Sequence, residues 1–477
     1  MAYKKDDLVT LTIEDLGTGG EGIGKVDGYT VFVKDVVIGD VVEAKIIKAK
    51  KNYGYGRLIN IIKPSPDRVE AKCPVARQCG GCQIQQMSYE AQLRFKEKLV
   101  KNNVERIGGL TEGGYELEPV IGMDNPFHYR NKAQYPVGYN KNNEIICGFY
   151  AGRTHYIVDC CDCALGAEGN VTILEAVKAW MKKENITAYD EETGKGLVRH
   201  ILIRTGYHTD QVMVCIVVNA KKGALKDAPM KKLVDRLSVI AGMTSIMVNY
   251  NREKTNVILG NECDTLWGQS FIEDYIGEIK YQISPLSFFQ VNPQQTEKLY
   301  NKALEYADLK GGETVWDLYC GIGTISLFLA GKAKKVYGVE IVPQAIEDAK
   351  NNAAINGITN AEFFVGKAEE VVPAFYDKMK EAAAAGDEQA KESIQPDVIV
   401  VDPPRKGCEE SLLETIVAMS PDRVVYVSCD SATLARDLKF LEAHGYKTKK
   451  VQPVDQFGHT VHVETVVLLS QLKQKPA

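Results

Sequence analysis

From Thr314 onward, β-branched runs alternate with helical periods, and that alternation restricts the fold more than any other feature of the sequence. TVWDLYC is followed by helical GTISLFLAG, and KVYGVE by helical PQAIEDAKNNAAING. EFFVGKA comes next, then DVIVVD with helical EESLLETIVAM, and RVVYVS with helical SATLARDLKFLEAHG. Two strand-like segments, around YKTKKVQPVD and HVETVVLLS, close the series. Repeated strand–helix units demand a largely parallel sheet with helices on both faces, and such sheets take ligands at the carboxyl ends of their strands. Residues 276–477 are therefore expected to form an α/β, doubly wound, Rossmann-like domain.

The rest of the chain divides differently. Residues 1–62 predict an OB-type β-barrel: LVTLTIEDL, GYTVFVKDV, DVVEAKIIKAKK and YGYGRLINIIK read as strands, with GTGGEGIG and VIGD as turns. KPSPD (63–67) reads as a linker, because closely spaced prolines do not fit a strand ladder. Residues 63–275 predict a mixed α+β central domain, with a helix in SYEAQLRFKEKLVKNNVERIGG and strands in HILIRTG, DQVMVCIVVNA and TSIMVNYN. The stretch 378–395 reads as an exposed acidic helical insertion. No apolar run approaches the ~20 residues that span a bilayer, and MAYKKDDLVT has no signal-like core. A cytoplasmic chain without membrane contact is expected. The net charge of −5 excludes a uniformly basic nucleic-acid coat. Between Lys45 and Arg106, however, 14 Lys and Arg outnumber 5 Asp and Glu, with Tyr53 and Tyr55 among them. Such a surface can hold a phosphate backbone while bases stack, which points to RNA.

Asp317-Leu-Tyr-Cys-Gly321-Ile-Gly323 ends one strand and opens a helix. Its glycines let a ligand approach the backbone, and the helix N-terminus favours negative charge. As a dinucleotide fingerprint it lacks the third glycine, which Ser326 replaces. Glu340, ending the next strand, is placed to accept hydrogen bonds from ribose hydroxyls and would repel a phosphorylated ribose. The D-x-x-x-G-x-G form resembles motif I of S-adenosylmethionine (AdoMet)-dependent methyltransferases more than a nicotinamide site. Asp402-Pro-Pro-Arg405 follows DVIVVD, and its prolines stiffen a loop that holds the aspartate at the mouth of the sheet. Amino-group methyltransferases place an aromatic residue after such a Pro-Pro, so Arg405 argues against adenine-N6 chemistry.

Cys429 lies between the strand RVVYVS and the helix SATLARDL, where the helix dipole should favour its thiolate. Cys320 and Cys408 also lie near strand ends. Glu464 interrupts the apolar strand VHVETVVLLS, and a carboxylate among valines is costly to bury unless it is paired, protonated or exposed in a site. Together these groups suit one reaction. C5 of uracil is too weak a nucleophile to take a methyl group directly. A thiolate added at C6 makes C5 enolate-like, and a base must later remove the C5 proton so that the thiolate can leave.

The segments FFQVN (288–292), DLYCGIG, GVE, VDPPRKG, VSCD and HVET occur in the order of the RNA uracil-5 methyltransferases, the family of the bacterial rRNA and tRNA enzymes, which this sequence resembles. The N-terminal barrel resembles the TRAM domain that precedes the rRNA branch. The resemblance implies a class I AdoMet-dependent methyltransferase domain with Cys429 as nucleophile and Glu464 as proton-abstracting base. It places Gln290, Tyr319, Glu340 and Asp402 around AdoMet, with Gln290 and Asp402 also near the uracil. Thr324 stands where some relatives carry Asn, and no contact is carried over to it. The implied product is 5-methyluridine in 23S rRNA; the alternative substrate is the T-loop uridine of tRNA. A reading of another class is a non-catalytic iron–sulfur RNA-binding protein on the same fold. A monomer is expected.

Twelve cysteines in a chain without an export signal should be thiols, metal ligands or catalytic groups rather than disulfides. Cys73-x5-Cys79-Gly-Gly-Cys82 can wrap a metal, and Cys79-x2-Cys82 with Cys160-x2-Cys163 has zinc-ribbon spacing. The resemblance instead implies a [4Fe–4S] cluster held by Cys73, Cys79, Cys82 and a distant cysteine after Ile157-Val158-Asp159. That fourth ligand is taken as Cys163, with Cys160 and Cys161 as competitors. Methyl transfer needs no redox step, so a structural or RNA-positioning role is expected.

Overall fold

The computed structural model describes residues 3–152, 154–386 and 395–472. Strands β1 (Leu8–Thr12), β2 (Asp15–Leu16), β3 (Gly22–Val26), β4 (Tyr29–Val33), β5 (Val41–Ala49) and β6 (Tyr53–Lys63) form one curled sheet in the order β1-β5-β6-β4-β3-β2. Period-two alternation turns Val31, Val33, Val42, Ala44 and Ile46 inward. The glycine-rich stretch expected as a turn supplies β3. A Cβ at Gly24 would lie 2.3 Å from the Thr12 carbonyl oxygen, so glycine here permits close backbone approach rather than a bend. The proline-rich segment after β6 is fastened to the barrel. Buried Asp40 accepts from the Ser65 N–H at 2.9 Å and the Val37 N–H at 2.7 Å, and pairs with Arg68.

Helix α1 (Tyr89–Arg106) starts at Ser88, whose hydroxyl accepts from the Ala91 N–H. After the two-residue β7 (Glu116–Leu117) comes a seven-stranded mixed sheet. It contains β8 (Lys132–Tyr139), β9 (Ile145–Tyr150), β10 (Ile157–Asp159), β11 (Val198–Thr205), β12 (Val212–Val218), β13 (Met243–Tyr250) and β14 (Glu262–Gly268). Its order is β10-β9-β8-β11-β12-β13-β14, with β12 and β13 parallel. Helices α2 (Asn170–Lys183) and α3 (Asp227–Leu237) cover one face around Trp180, Leu174 and Leu233. Through Leu202, Met213 and Met247 the other face joins the hairpin β15 (Ile272–Ile276)–β16 (Ile279–Ile283) and the core beyond it.

The C-terminal sheet contains β17 (Thr314–Leu318), β18 (Lys335–Glu340), β19 (Ala361–Val365), β20 (Val398–Val401), β21 (Arg423–Ser428), β22 (Tyr446–Val454) and β23 (Glu464–Gln471), in the order β19-β18-β17-β20-β21-β23-β22-β7. Strands β17 to β21 are parallel, and β23 is antiparallel to both β21 and β22. Helices α4 (Pro293–Ala307), α5 (Thr324–Ala330) and α6 (Pro343–Ile355) pack on one face through Leu299, Leu327 and Ile346. Helices α1, α7 (Ala368–Ala384), α8 (Glu410–Met419) and α9 (Ser431–Ala443) pack on the other through Val104, Val372, Leu412 and Leu438. This is the doubly wound, class I methyltransferase arrangement expected from the strand–helix alternation. Of the expected 378–395 insertion, α7 takes in the first part, and residues 387–394 lie outside the described residues.

Two elements sit far from their place in the chain. Strand β7 pairs with β22 (Glu116 opposite Lys450, Leu117 opposite Val451), and α1 packs on α9, although both precede the central sheet in sequence. No helix among the described residues is long and apolar enough to cross a membrane.

Candidate active site

Sheet register assembles the site. Ser428 and Thr465 are the last paired residues of β21 and β23, and Cys429 and Glu464 adjoin that pair on the two strands, near enough for Glu464 to act on the thiol. Asp402 follows β20, whose final residue pairs with Tyr426 of β21 on one side and Leu318 of β17 on the other. Asp317, Tyr319, Glu340, Asp402, Cys429 and Glu464 therefore share one edge, at the point where the chain reverses its direction of travel across the sheet.

On the cofactor side, the turn after β17 is built by unusual backbone. Tyr319 has φ of 112°, Gly321 of 54° and Gly323 of 82°. The Gly321 N–H donates to Glu340 Oε2 at 3.3 Å, and the Val342 N–H donates to Oε1 at 3.0 Å, which fixes the carboxylate at the strand end. No atom lies within 4 Å of where a Gly321 Cβ would stand, whereas a Gly323 Cβ would come within 3.2 Å of Ala349. Asp317 is fully buried and accepts from the Ser326 hydroxyl at 2.6 Å; burial, then Glu340, pushes its carboxyl up to about 7. Ser326, read as a missing glycine, is the residue that holds this aspartate. Tyr319 packs against the apolar cluster that includes Cys408, and burial pushes its hydroxyl up. Gln290 lies just before Asn292, the cap of α4, and its carbonyl accepts from Asn131 Nδ2 at 3.0 Å. Among the described residues, no hydrogen bond joins its side chain to the other expected site residues.

Of the three cysteines near strand ends, Cys320 and Cys408 are buried and Cys429 is half-exposed. The helix dipole is expected to favour the Cys429 thiolate, yet the thiol is pushed up to about 11. Burial is the largest cause, followed by Glu464 and Asp402, with Arg405 opposing them. The helix N-terminus is already occupied, because the Asp430 carboxylate accepts from the N–H groups of Ala432 and Thr433. Glu464 is 5% exposed and its carboxyl is pushed up to about 8, by burial and then by Asp402, against the pull of Arg405. Asp402 is raised to about 7 by burial and by Asp317. Arg405 is thus the counter-charge that the sequence showed only as a departure from an aromatic pattern.

Asp437 is a second residue that sequence reasoning missed. Fully buried on α9, it accepts from the Cys408 N–H at 2.9 Å and the Tyr426 hydroxyl at 2.6 Å. Arg436 adds bonds to the Lys406 and Cys408 carbonyls, and the Thr433 hydroxyl donates to the Arg405 carbonyl. The helix that follows Cys429 therefore holds the loop that carries Arg405. The signal in sequence was an acidic residue on the apolar face of SATLARDLKFLEA.

Cys73, Cys79, Cys82, Cys160 and Cys163 line one cavity of about 290 Å³, together with Arg130 and Lys132. Gln85 braces it, accepting from the Cys73 N–H at 2.6 Å and donating to Cys82 Sγ at 3.4 Å. Burial, with Cys163 next, pushes the Cys82 thiol up to about 12. Cys161 belongs elsewhere, with its sulfur 3.4 Å from that of Cys147. Among the described residues, no three His, Cys, Asp or Glu side chains converge where one metal ion could be held.

The model of the tRNA (uracil-5-)-methyltransferase family matches residues 118–472, and that of the TRAM domain matches residues 7–59. An RNA methyltransferase of Clostridium tetani is 51% identical over 472 residues, which cover 99% of this chain and 98% of the relative. One from Halalkalibacterium halodurans is 51% identical over 467 residues, covering 98% and 97%. The solved structure of the Pyrococcus abyssi tRNA (uracil-54, C5)-methyltransferase in complex with S-adenosyl-L-homocysteine superposes with a TM-score of 0.75. It is 28% identical and covers 97% of this chain and 100% of that one.

Proposed function

The chain belongs to the tRNA (uracil-5-)-methyltransferase family, and we propose that it methylates C5 of a uridine in 23S rRNA, in the cytoplasm, through a covalent adduct on Cys429. The observation that carries this reading is the half-exposed Cys429 beside buried Glu464, with Asp402 at the same sheet edge. AdoMet supplies an electrophilic methyl group. Glu340 holds the ribose hydroxyls, while Gln290 and Asp402 border both the donor and the base. The ionised Cys429 sulfur adds to C6, and C5 takes the methyl with S-adenosylhomocysteine as leaving group. Glu464 then removes the C5 proton, the C6–sulfur bond breaks, and the C5–C6 double bond returns. With a carboxyl near 8, Glu464 is ionised only partly at neutral pH, so proton removal should accelerate as pH rises through that value.

Cys429→Ala is expected to abolish methylation and the adduct with 5-fluorouridine RNA, and a persistent adduct refutes its role. Glu464→Gln is expected to transfer methyl yet trap methylated RNA on the protein; normal turnover removes it as base.

A second substrate reading, the T-loop uridine of tRNA, is favoured by the Pyrococcus relative, which aligns over 97% of this chain. Because that span takes in the barrel, the barrel alone does not distinguish the two RNAs. Methylation of purified 23S rRNA and tRNA by the protein, with mass mapping of the product, separates them.

The cysteine cavity is read as the seat of a [4Fe–4S] cluster on Cys73, Cys79, Cys82 and Cys163, with Cys160 competing for the last position. Bound there, the cluster would tie the 73–82 loop to the central sheet. Iron and sulfide analysis of anaerobically purified protein tests the assignment against zinc.

A further inference from the structure

Loops run over protein surfaces because a buried loop strands polar backbone groups. The loop between β22 and β23 breaks that rule. Of Asp455–Val463, every residue but Phe457 and His462 is buried. It leads directly into Glu464, which pairs with Val454 at the mouth of the same hairpin.

The loop's polar groups are met from three directions. From α1, Lys96 forms a wholly buried ion pair with Asp455 and donates to the Phe457 carbonyl at 3.0 Å. The Tyr89 hydroxyl donates to the second Asp455 oxygen at 2.7 Å. Gln92 accepts from the His459 N–H at 2.9 Å and faces Nδ1 of its ring at 3.1 Å. From α4, Gln295 donates to the Asp455 carbonyl and Asn292 to that of Gln456. From the cysteine loop, the N–H groups of Gln83 and Ile84, which directly follow Cys82, both donate to the His459 carbonyl. His459 is held at φ of 65°, a conformation a free loop would leave.

We propose that Lys96 and Gln92 are positioning residues for Glu464: by fixing the buried strap 455–463 they hold the base against the C5 proton of the Cys429 adduct. The proposal rests on Glu464 being that base. It explains why two charges are kept wholly out of water where a packed apolar pair would serve stability equally well. The strap reaches the donor side through Asn292, two residues after Gln290, but runs directly into Glu464, so its loss should slow adduct breakdown far more than binding or methyl transfer.

The test uses the full-length protein with unmodified substrate RNA. Three variants are compared: Lys96→Met, Gln92→Leu, and the double Lys96→Met/Asp455→Leu, which leaves no buried charge unpaired. The expected result is AdoMet affinity and adduct formation within threefold of wild type, with breakdown of the methylated adduct slowed at least tenfold. Amide exchange across 455–463 should rise. The midpoint of breakdown against pH should also fall as water reaches Glu464, whose facing groups Asp402, Arg405, Cys429 and Tyr300 are unchanged. Breakdown within twofold of wild type in the folded double variant and in Gln92→Leu overturns the proposal, as does an equal loss of adduct formation and breakdown. Glu464→Gln in parallel separates the two levels: if it fails to trap the adduct, the base assignment itself falls.

Discussion

Arg405 faces Cys429 and Glu464 and pulls both toward ionisation, against burial and the neighbouring Asp402. Arg405→Leu should therefore make thiol and carboxyl harder to ionise together. The pH–rate profile should move to higher pH, and activity at neutral pH should drop about tenfold for each pH unit that the profile travels. A profile unchanged in position would remove Arg405 from this role. Strand-end logic read Glu340, Asp402 and Cys429 from sequence, because each closes an apolar run at the edge where parallel sheets bind ligands. The ionisation of Cys429 was misread for a definite reason. A helix start is visible in sequence, whereas carboxylates brought in by β20 and β23 become neighbours only through register. Arg405 was visible as an oddity, and its partners were not.

The strand–helix units of the C-terminal sheet were legible because period and length agree. Strand β3 was not, since its glycines read as turn while they serve close backbone contact with Thr12. The strap was hidden too: VDQFGHTVH has the composition of a surface loop. Asp437 belongs to the same class of hidden joint, tying α9, β21 and the Arg405 loop. Asp437→Leu would leave the Cys408 N–H and the Tyr426 hydroxyl unmet in the interior. A loss of roughly 3 kcal/mol is expected, measured by urea unfolding. Within the folded fraction, the effect of Arg405 on the pH–rate profile should weaken. An unchanged unfolding midpoint would contradict the joint.

The barrel, the cysteine loop, α1 and the strap meet in one apolar cluster of Leu16, Val37, Ile84, Met87, Ala91, Phe95 and Val461. A polar substitution in the barrel should thus be felt near the site. Val37→Asp is expected to lower the melting temperature and to raise amide exchange in 455–463; protection confined to its wild-type level there would show the parts to be independent. Patterning along the chain announced several folding units, but the placement of α1 and β7 on the C-terminal sheet was beyond it, because periodicity tells what face is apolar and not what covers it. That placement has a consequence in time. Lys96 and Asp455 are 359 residues apart, so at ~5–20 residues per second a ribosome delivers the aspartate roughly 20–70 s after the lysine. During that interval α1 must wait without its partner. A lysine at the centre of its future contact keeps the waiting helix soluble, and its ammonium is withdrawn from water only when the last strands of the chain arrive.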